Sequence, residues 1–185
     1  MRDAADGDIV VREATVADAP AISAIGTVAF PAVHNEIVGE EFSAAVVEQT
    51  YSISALTECI SRCARADDAA FLVAERDGEV VGYLHYDCEG PEPELHRIYV
   101  DPNQKRGGVG SALMRDFHAW LDPGSTYILL VAEANRDAQG FYAHHGLVTE
   151  RSVNGNEHYG DAMSIESDET PPEASGLLLR FTKQP

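Results

Sequence analysis

Lysine is almost missing from this chain. Of 13 basic residues only Lys105 and Lys183 are lysines, against 31 Asp and Glu, leaving a formal net charge of −18 over 185 residues. Such a surplus repels phosphate backbones and argues against a nucleic-acid partner, while it draws cationic small molecules inward. Dispersed acids with scarce lysine also suit a protein kept soluble in high salt, and the two explanations are compatible. Cysteine is scarce as well: three residues, an odd number, provide no disulfide framework. Cys59 and Cys63 lie one helical turn apart in an apolar segment, with no CxxC pair and no histidine cluster near them. They are read as buried free thiols rather than metal ligands, in keeping with a reducing cytoplasm. No apolar run approaches the roughly 18–20 residues that cross a bilayer, and the acidic, polar start Met1–Asp8 excludes a secretory signal. A cytoplasmic protein without a membrane partner is expected.

The length fits one domain with a full-sized core, expected over residues 8–183 after a short acidic segment, 1–7. Ile9–Glu13 alternates as a first strand, and Thr15–Asp18 has the form of a capping box with Asp in place of Glu. Ile22, Ile25 and Ala29 follow at helical spacing up to Pro31, which should end that helix. Phe42, Val46 and Val47 suggest a second helix, and Leu56, Ile60 and Cys63 mark a third. Ala70–Glu75 and Val80–Tyr86 form a hairpin across Asp77-Gly78. A third strand, Glu94–Val100, precedes a helix burying Val109, Leu113, Phe117, Trp120 and Leu121. Tyr127–Ala132 is a near-continuous apolar strand covered on both faces. A helix from about Arg136 to His145 ends at Gly146, and strands follow at Leu147–Val153 and Gly176–Thr182, separated by a long polar loop over 154–175. The order predicts an α/β fold: a mixed, mostly antiparallel sheet with helices on both faces.

Between the third strand and its helix lies Asp101-Pro102-Asn103-Gln104-Lys105-Arg106-Gly107-Gly108-Val109-Gly110-Ser111. Glycines there let backbone N–H groups approach a ligand, and the helix start adds unpaired donors and a partial positive charge. Such a corner holds phosphate or pyrophosphate. A Rossmann fingerprint fails, because the third glycine is misplaced, the loop from Val100 is too long and no acidic ribose ligand closes a second strand. A Walker A loop fails because no Gly-Lys-Ser/Thr ends the glycine run.

What remains, Lys105-Arg106-Gly107-Gly108-Val109-Gly110, resembles the pyrophosphate loop of the GNAT superfamily of acyl-CoA N-acyltransferases, with Lys105 where the pattern carries Gln or Arg. Asn135-Arg136-Asp137-Ala138-Gln139-Gly140-Phe141-Tyr142, running on to Gly146-Leu147, is similar to that family's second signature, with Leu147 in place of Phe. Glu94–Val100, Tyr51-Ser52 and His158-Tyr159-Gly160-Asp161 are similar to the spermidine/spermine N-acetyltransferase branch. The resemblance spans about residues 8–183. It implies a GNAT-type fold, acetyl-CoA as acyl donor, no metal, and a primary amine as acceptor. The acidic balance makes a small cationic amine or polyamine the favoured acceptor, and a homodimer is compatible with the resemblance. Two alternatives stay open: acetylation of a protein N-terminus or lysine, and a non-catalytic acyl-CoA-binding module.

By the family pattern, the backbone of Ile98, Tyr99 and Val100 would pair with the pantetheine arm, and the Val100 N–H would polarise the thioester carbonyl. Lys105, Arg106, Gly107, Gly108, Val109, Gly110 and Ser111 would hold the pyrophosphate. Asn135 and Ala138 would contact the cofactor, Asn135 doubling as a helix N-cap. Tyr142 belongs to the stripe Ala138, Phe141, Tyr142, His145, which alone reads as core. In the matched signature it is instead the acid for the leaving thiolate. Glu94 is the expected base, sharing a strand face with His96 and Ile98; His96 is its rival and Glu75 stands further behind. Glu36 and Glu40, with Glu41 and Glu48, lie on the first two helices, where family members build the acceptor site, so Glu36, Glu40 and His96 are candidate substrate ligands.

Overall fold

A computed structural model of the chain describes residues 8–154 and 174–184. The acidic segment 1–7, the loop expected over 154–175 apart from Asn154, Ala174 and Ser175, and the His158–Asp161 motif lie outside the described residues. The elements run β1 (Val10–Glu13), α1 (Ala19–Val38), α2 (Glu40–Tyr51), α3 (Ile53–Cys63), β2 (Ala70–Arg76), β3 (Glu79–Asp87), β4 (Glu94–Val100), α4 (Val109–Trp120), β5 (Thr126–Ala132), α5 (Arg136–His144), β6 (Val148–Val153) and β7 (Gly176–Thr182). They form one sheet in the order β1-β2-β3-β4-β5-β7-β6. Every neighbouring pair is antiparallel except β4 and β5. The expected mixed, mostly antiparallel sheet with helices on both faces is what forms.

Alternation along the strands divides the core in two. One face places Phe71, Val73 and Tyr83 against Ile22, Phe30, Tyr51, Leu56 and Ile60 of α1–α3. The other places Leu72, Leu84, Leu95 and Leu129 against Leu113, Met114 and Phe117 of α4, with Phe141 and Tyr142 of α5 at its margin.

Four expectations are corrected. First, Pro31 does not end α1, which continues to Val38. Proline removes one backbone donor and costs about 3 kcal/mol inside a helix. The turns beyond it are held by burial of His34 and Val38, by the Phe30–His34 ring stack at 4.2 Å, and by a Gly39 N–H donated to Asn35 O at 3.0 Å. Second, by length and mean hydropathy Val16–Val38 is long and apolar enough to span a bilayer. Its Ile22, Ile25, Ala29, Phe30 and Val38 are buried in the core, as in a central helix of a folded domain. Third, Trp120 is 40% exposed, because α4 ends there and Leu121 turns inward instead.

The fourth correction concerns β4. Leu95 pairs with Tyr86 and Arg97 with His85, which leaves His96 as an extra residue. In such a bulge two consecutive side chains oppose one partner and the alternation shifts by one. Glu94 and His96 therefore lie on the α1–α3 side with Arg97, while Ile98 packs into the opposite core. Glu94, His96 and Ile98 do not share a face.

At the start of the domain Arg12 forks onto Asp18 with two bonds of 2.8 Å and also bonds Glu75 at 3.0 Å. Asp18 accepts the Thr15 N–H at 2.7 Å, giving the carboxylate half of the expected capping box. Hydrogen bonding from Arg12 outweighs burial and lowers the Asp18 pKa to about 2. A carboxyl with a depressed folded pKa stabilises above its unfolded value and loses that contribution as pH falls through the folded one. Asp18→Asn should thus cost about 2 kcal/mol near neutral pH. It should also flatten the fall of thermal midpoint between the ordinary value of 3.8 and about 2, as measured by calorimetry across that range.

Candidate active site

β4 and β5 run side by side but register only at Glu94 and Ile128. Beyond that point they part, and the gap becomes a cleft of about 610 Å³. Its walls are His96–Val100 of β4 and Leu130–Ala132 of β5, with Val33 and His34 of α1 at one end and the glycine corner at the other. The Asp101 N–H donates to Val81 O of β3 at 2.9 Å. Successive N–H groups of a strand face opposite edges, so those of Val100 and Ile98 face the cleft.

The corner is shaped for an anion. Gly108 sits at φ 79°, a left-handed value that costs glycine little, and caps the N-terminus of α4. A Cβ on Gly110 would lie 3.2 Å from the Phe141 ring, so the absent side chain lets α4 and α5 close on each other. Ser111 and His145 Nε2 join the same two helices at 3.2 Å. Lys105, Arg106, Gly108, Val109, Gly110 and Ser111 line the cleft; Gly107 stands just outside the lining. Arg76, on the far side of the corner, donates to Gln104 Oε1 and to Gly107 O, both at 2.7 Å, and so braces the loop.

Asn135, Ala138 and Tyr142 also line the cleft. Asn135 accepts the Ala138 N–H at 3.1 Å as the N-cap of α5, so its capping role is present in a residue that faces the cleft. Burial raises the Tyr142 phenol above its ordinary value and keeps it protonated as a proton donor.

At the other end His96 lines the cleft and Glu94 does not. His96 Nε2 lies 2.9 Å from Asp87 Oδ1, and its Nδ1 is 3.6 Å from Glu94 Oε1. Burial alone would raise the Asp87 carboxyl. Hydrogen bonds from His85 and His96, the charge of His96 and the Glu89 N–H together bring it well below the usual carboxylate range. Glu75 is committed to Arg12, and neither it nor Glu36 or Glu40 lines the cleft; Glu36 and Glu40 are solvent-exposed.

Asp87, Arg76, His34 and Arg97 are site residues that motif reasoning passed over. Arg97 lines the cleft beneath Tyr51, 5.5 Å from its ring, and its buried Nη1 has no hydrogen-bond partner among the described residues. The residues present fit acetyl-CoA: a cationic rim, helix-start donors and a corner clear of Cβ for the pyrophosphate, then strand-edge N–H groups facing an extended arm.

Residues 67–148 match the acetyltransferase (GNAT) domain family. Over 100 residues the chain is 29% identical to an uncharacterized N-acetyltransferase of Methanocaldococcus jannaschii. That match covers 49% of this chain and 44% of the relative, so the chain spans less than half of the curated protein it matches. In fold it is similar to the PaiA N-acetyltransferase of Thermoplasma acidophilum solved with coenzyme A (TM-score 0.73, 18% identity, 95% of this chain and 99% of that one). It is also similar to Ard1 from Thermoplasma volcanium (TM-score 0.67, 18% identity, 96% and 99%). A third likeness is to the ribosomal-protein-S18-alanine N-acetyltransferase of Escherichia coli (TM-score 0.66, 15% identity, 96% and 95%).

Replacing Arg76 with Met frees the corner from its brace. The loss of two charge-assisted hydrogen bonds should weaken coenzyme A binding roughly tenfold, measured by titration calorimetry, with little change in thermal midpoint.

Proposed function

We propose that the chain, of which residues 67–148 match the acetyltransferase (GNAT) domain family, transfers an acetyl group from acetyl-CoA to a primary amine, with a small cationic amine or polyamine as acceptor. The observation that carries the proposal is the single cleft lined both by the glycine corner and by His96, with Tyr142 also in its wall. Acetyl-CoA supplies the acetyl group already activated as a thioester.

Each step then falls to a residue of the chain. An alkylammonium, with an ordinary pKa of about 10.4, must lose a proton before its nitrogen can attack. His96 donates its Nε2–H to Asp87, which leaves the Nδ1 lone pair to accept that proton. Glu94 Oε1, 3.6 Å from Nδ1, favours the imidazolium that results. The Val100 N–H faces the cleft and holds the negative charge that develops on the carbonyl oxygen as the C–N bond forms. Tyr142 gives its proton to the sulfur as the C–S bond breaks; the new amide nitrogen sheds its second proton to solvent, from which Tyr142 is reprotonated. The net charge of −18 and the carboxylates of Asp87 and Glu94 at the acceptor end support a cationic amine.

Thiol release from acetyl-CoA should be measured with polyamines, with N-terminal peptides and with amines that also bear a carboxylate, a group suited to Arg97. Silence across the panel would sink the proposal. Faster turnover of peptides or carboxylate-bearing amines would overturn the cationic acceptor and leave the transferase standing. With the preferred acceptor, His96→Gln should lower kcat by roughly 10²–10⁴-fold, the range for a lost acid–base group. Tyr142→Phe should lower kcat with KM for the acceptor little changed; an unaltered rate would assign the acid role elsewhere.

A further inference from the structure

The fold brings together three side chains that the acyl-transfer chemistry does not use. Cys59 and Cys63 project from one turn of α3, and His85 comes up from β3 beneath them. The two sulfurs and an imidazole nitrogen all lie within 4.8 Å of one another and are buried. Cys59 Sγ is 3.4 Å from His85 Nε2. The sequence expectation of two thiols without a histidine nearby is thereby corrected: the histidine is 22 residues or more away along the chain and one strand away in space.

From this cluster we propose that Cys59, Cys63 and His85 form a zinc site, an inference that goes beyond acetyl transfer and does not depend on it. Two thiolates and one imidazole are the donor set that a borderline-soft d¹⁰ ion takes, in preference to magnesium or calcium, which need oxygen ligands. Bonds of about 2.3 Å to sulfur and about 2.0 Å to nitrogen set tetrahedral donors roughly 3.5 Å apart. The Cys59–His85 separation already matches. Binding displaces the two thiol protons to solvent, so the ion and its thiolates are neutral together. Around them Arg62 Nη2 lies 3.8 Å from Cys59, and Asp87 Oδ2, the next oxygen donor, lies 3.3 Å from His85 Nε2. A crevice of about 250 Å³ lined by Ile60, Cys63, Ala64, Phe71 and Trp120 reaches the cluster from outside.

The site adjoins the active cleft. His85 stacks on His96 with ring centres 4.9 Å apart, and both contact Asp87. A metal that engages His85 Nε2 takes that contact from Asp87 and leaves the carboxylate to His96.

The full chain, stripped of metal and kept reduced, should be titrated with Co²⁺ as a spectroscopic stand-in. The expected result is one equivalent bound, with thiolate-to-cobalt charge-transfer absorption and the intense visible bands of a tetrahedral ion, both erased by one equivalent of Zn²⁺. Cys63→Ser and Cys59→Ser should each weaken the charge-transfer band. His85→Asn should lower Co²⁺ affinity more than about tenfold, since even an outer partner of a metal site costs that much. Circular dichroism checks that each variant stays folded. The wild-type titration alone decides the matter if a variant does not fold. Absence of a charge-transfer band at saturating Co²⁺, or an unchanged affinity in folded His85→Asn, would overturn the site.

Discussion

Two strands that pair at one point and then separate set the terms for the rest of this molecule. A parallel pair normally continues until its strands end, because each unmade bond leaves a donor and an acceptor without partners. Here β4 and β5 register at Glu94 and Ile128 alone, and the strand-edge groups beyond face a cleft rather than a neighbour. That divergence is affordable because each strand is secured on its other side. β4 is held by the long antiparallel ladder to β3, and β5 is paired along its whole length with β7. The two core layers then keep the halves from closing, one filled by α1–α3 and the other by α4 and its neighbours.

Much of this could be read from the chain, because the features involved are local. β4 was expected over Glu94–Val100 and is found there, as is β7 over Gly176–Thr182. The glycine corner and the Asn135–Tyr142 segment are contiguous motifs, and the structure places both on one cleft. What escaped notice depends on contacts across the fold. The bulge at His96 adds a residue to β4 relative to β3, and no alternation within β4 alone reveals what its partner strand skips. Asp87 closes β3 in sequence but meets His96 only once the hairpin has formed. Arg76 sits in an ordinary hairpin, and its grip on Gly107 is visible only in three dimensions. Pro31 failed as a stop signal for a related reason: burial of the next two turns outweighs a local rule.

The shortage of lysine also acquires a structural sense. Arginine forms the paired contacts that cross the fold: Arg12 to Asp18 and Glu75, Arg62 to Glu89, and Arg180 to Glu92 and Glu150. A planar fork can satisfy two acceptors at once, which a single ammonium does less well. Lys183, one of the two lysines, is used differently, capping the end of α4 through the carbonyls of His118 and Leu121. The acidic excess therefore stays mostly on the surface, where it shapes the field, while the few cations are spent on tying strands together.

The extra residue in β4 works as a vernier between two sliding scales. On one side of it the strand is in step with the tail of β3, where Glu94 meets Asp87; on the other it is in step with the middle, where Val100 meets Gly82. Remove that one residue and the two halves fall into a single phase, with Leu95 still opposite Tyr86, Arg97 still opposite His85 and each remaining side chain on its present face; only the extra imidazole is lost. A homologue of the same length but without the offset would need a compensating insertion elsewhere in the hairpin. The spacing between the His96 end of the cleft and the glycine corner is thus set by a count of residues.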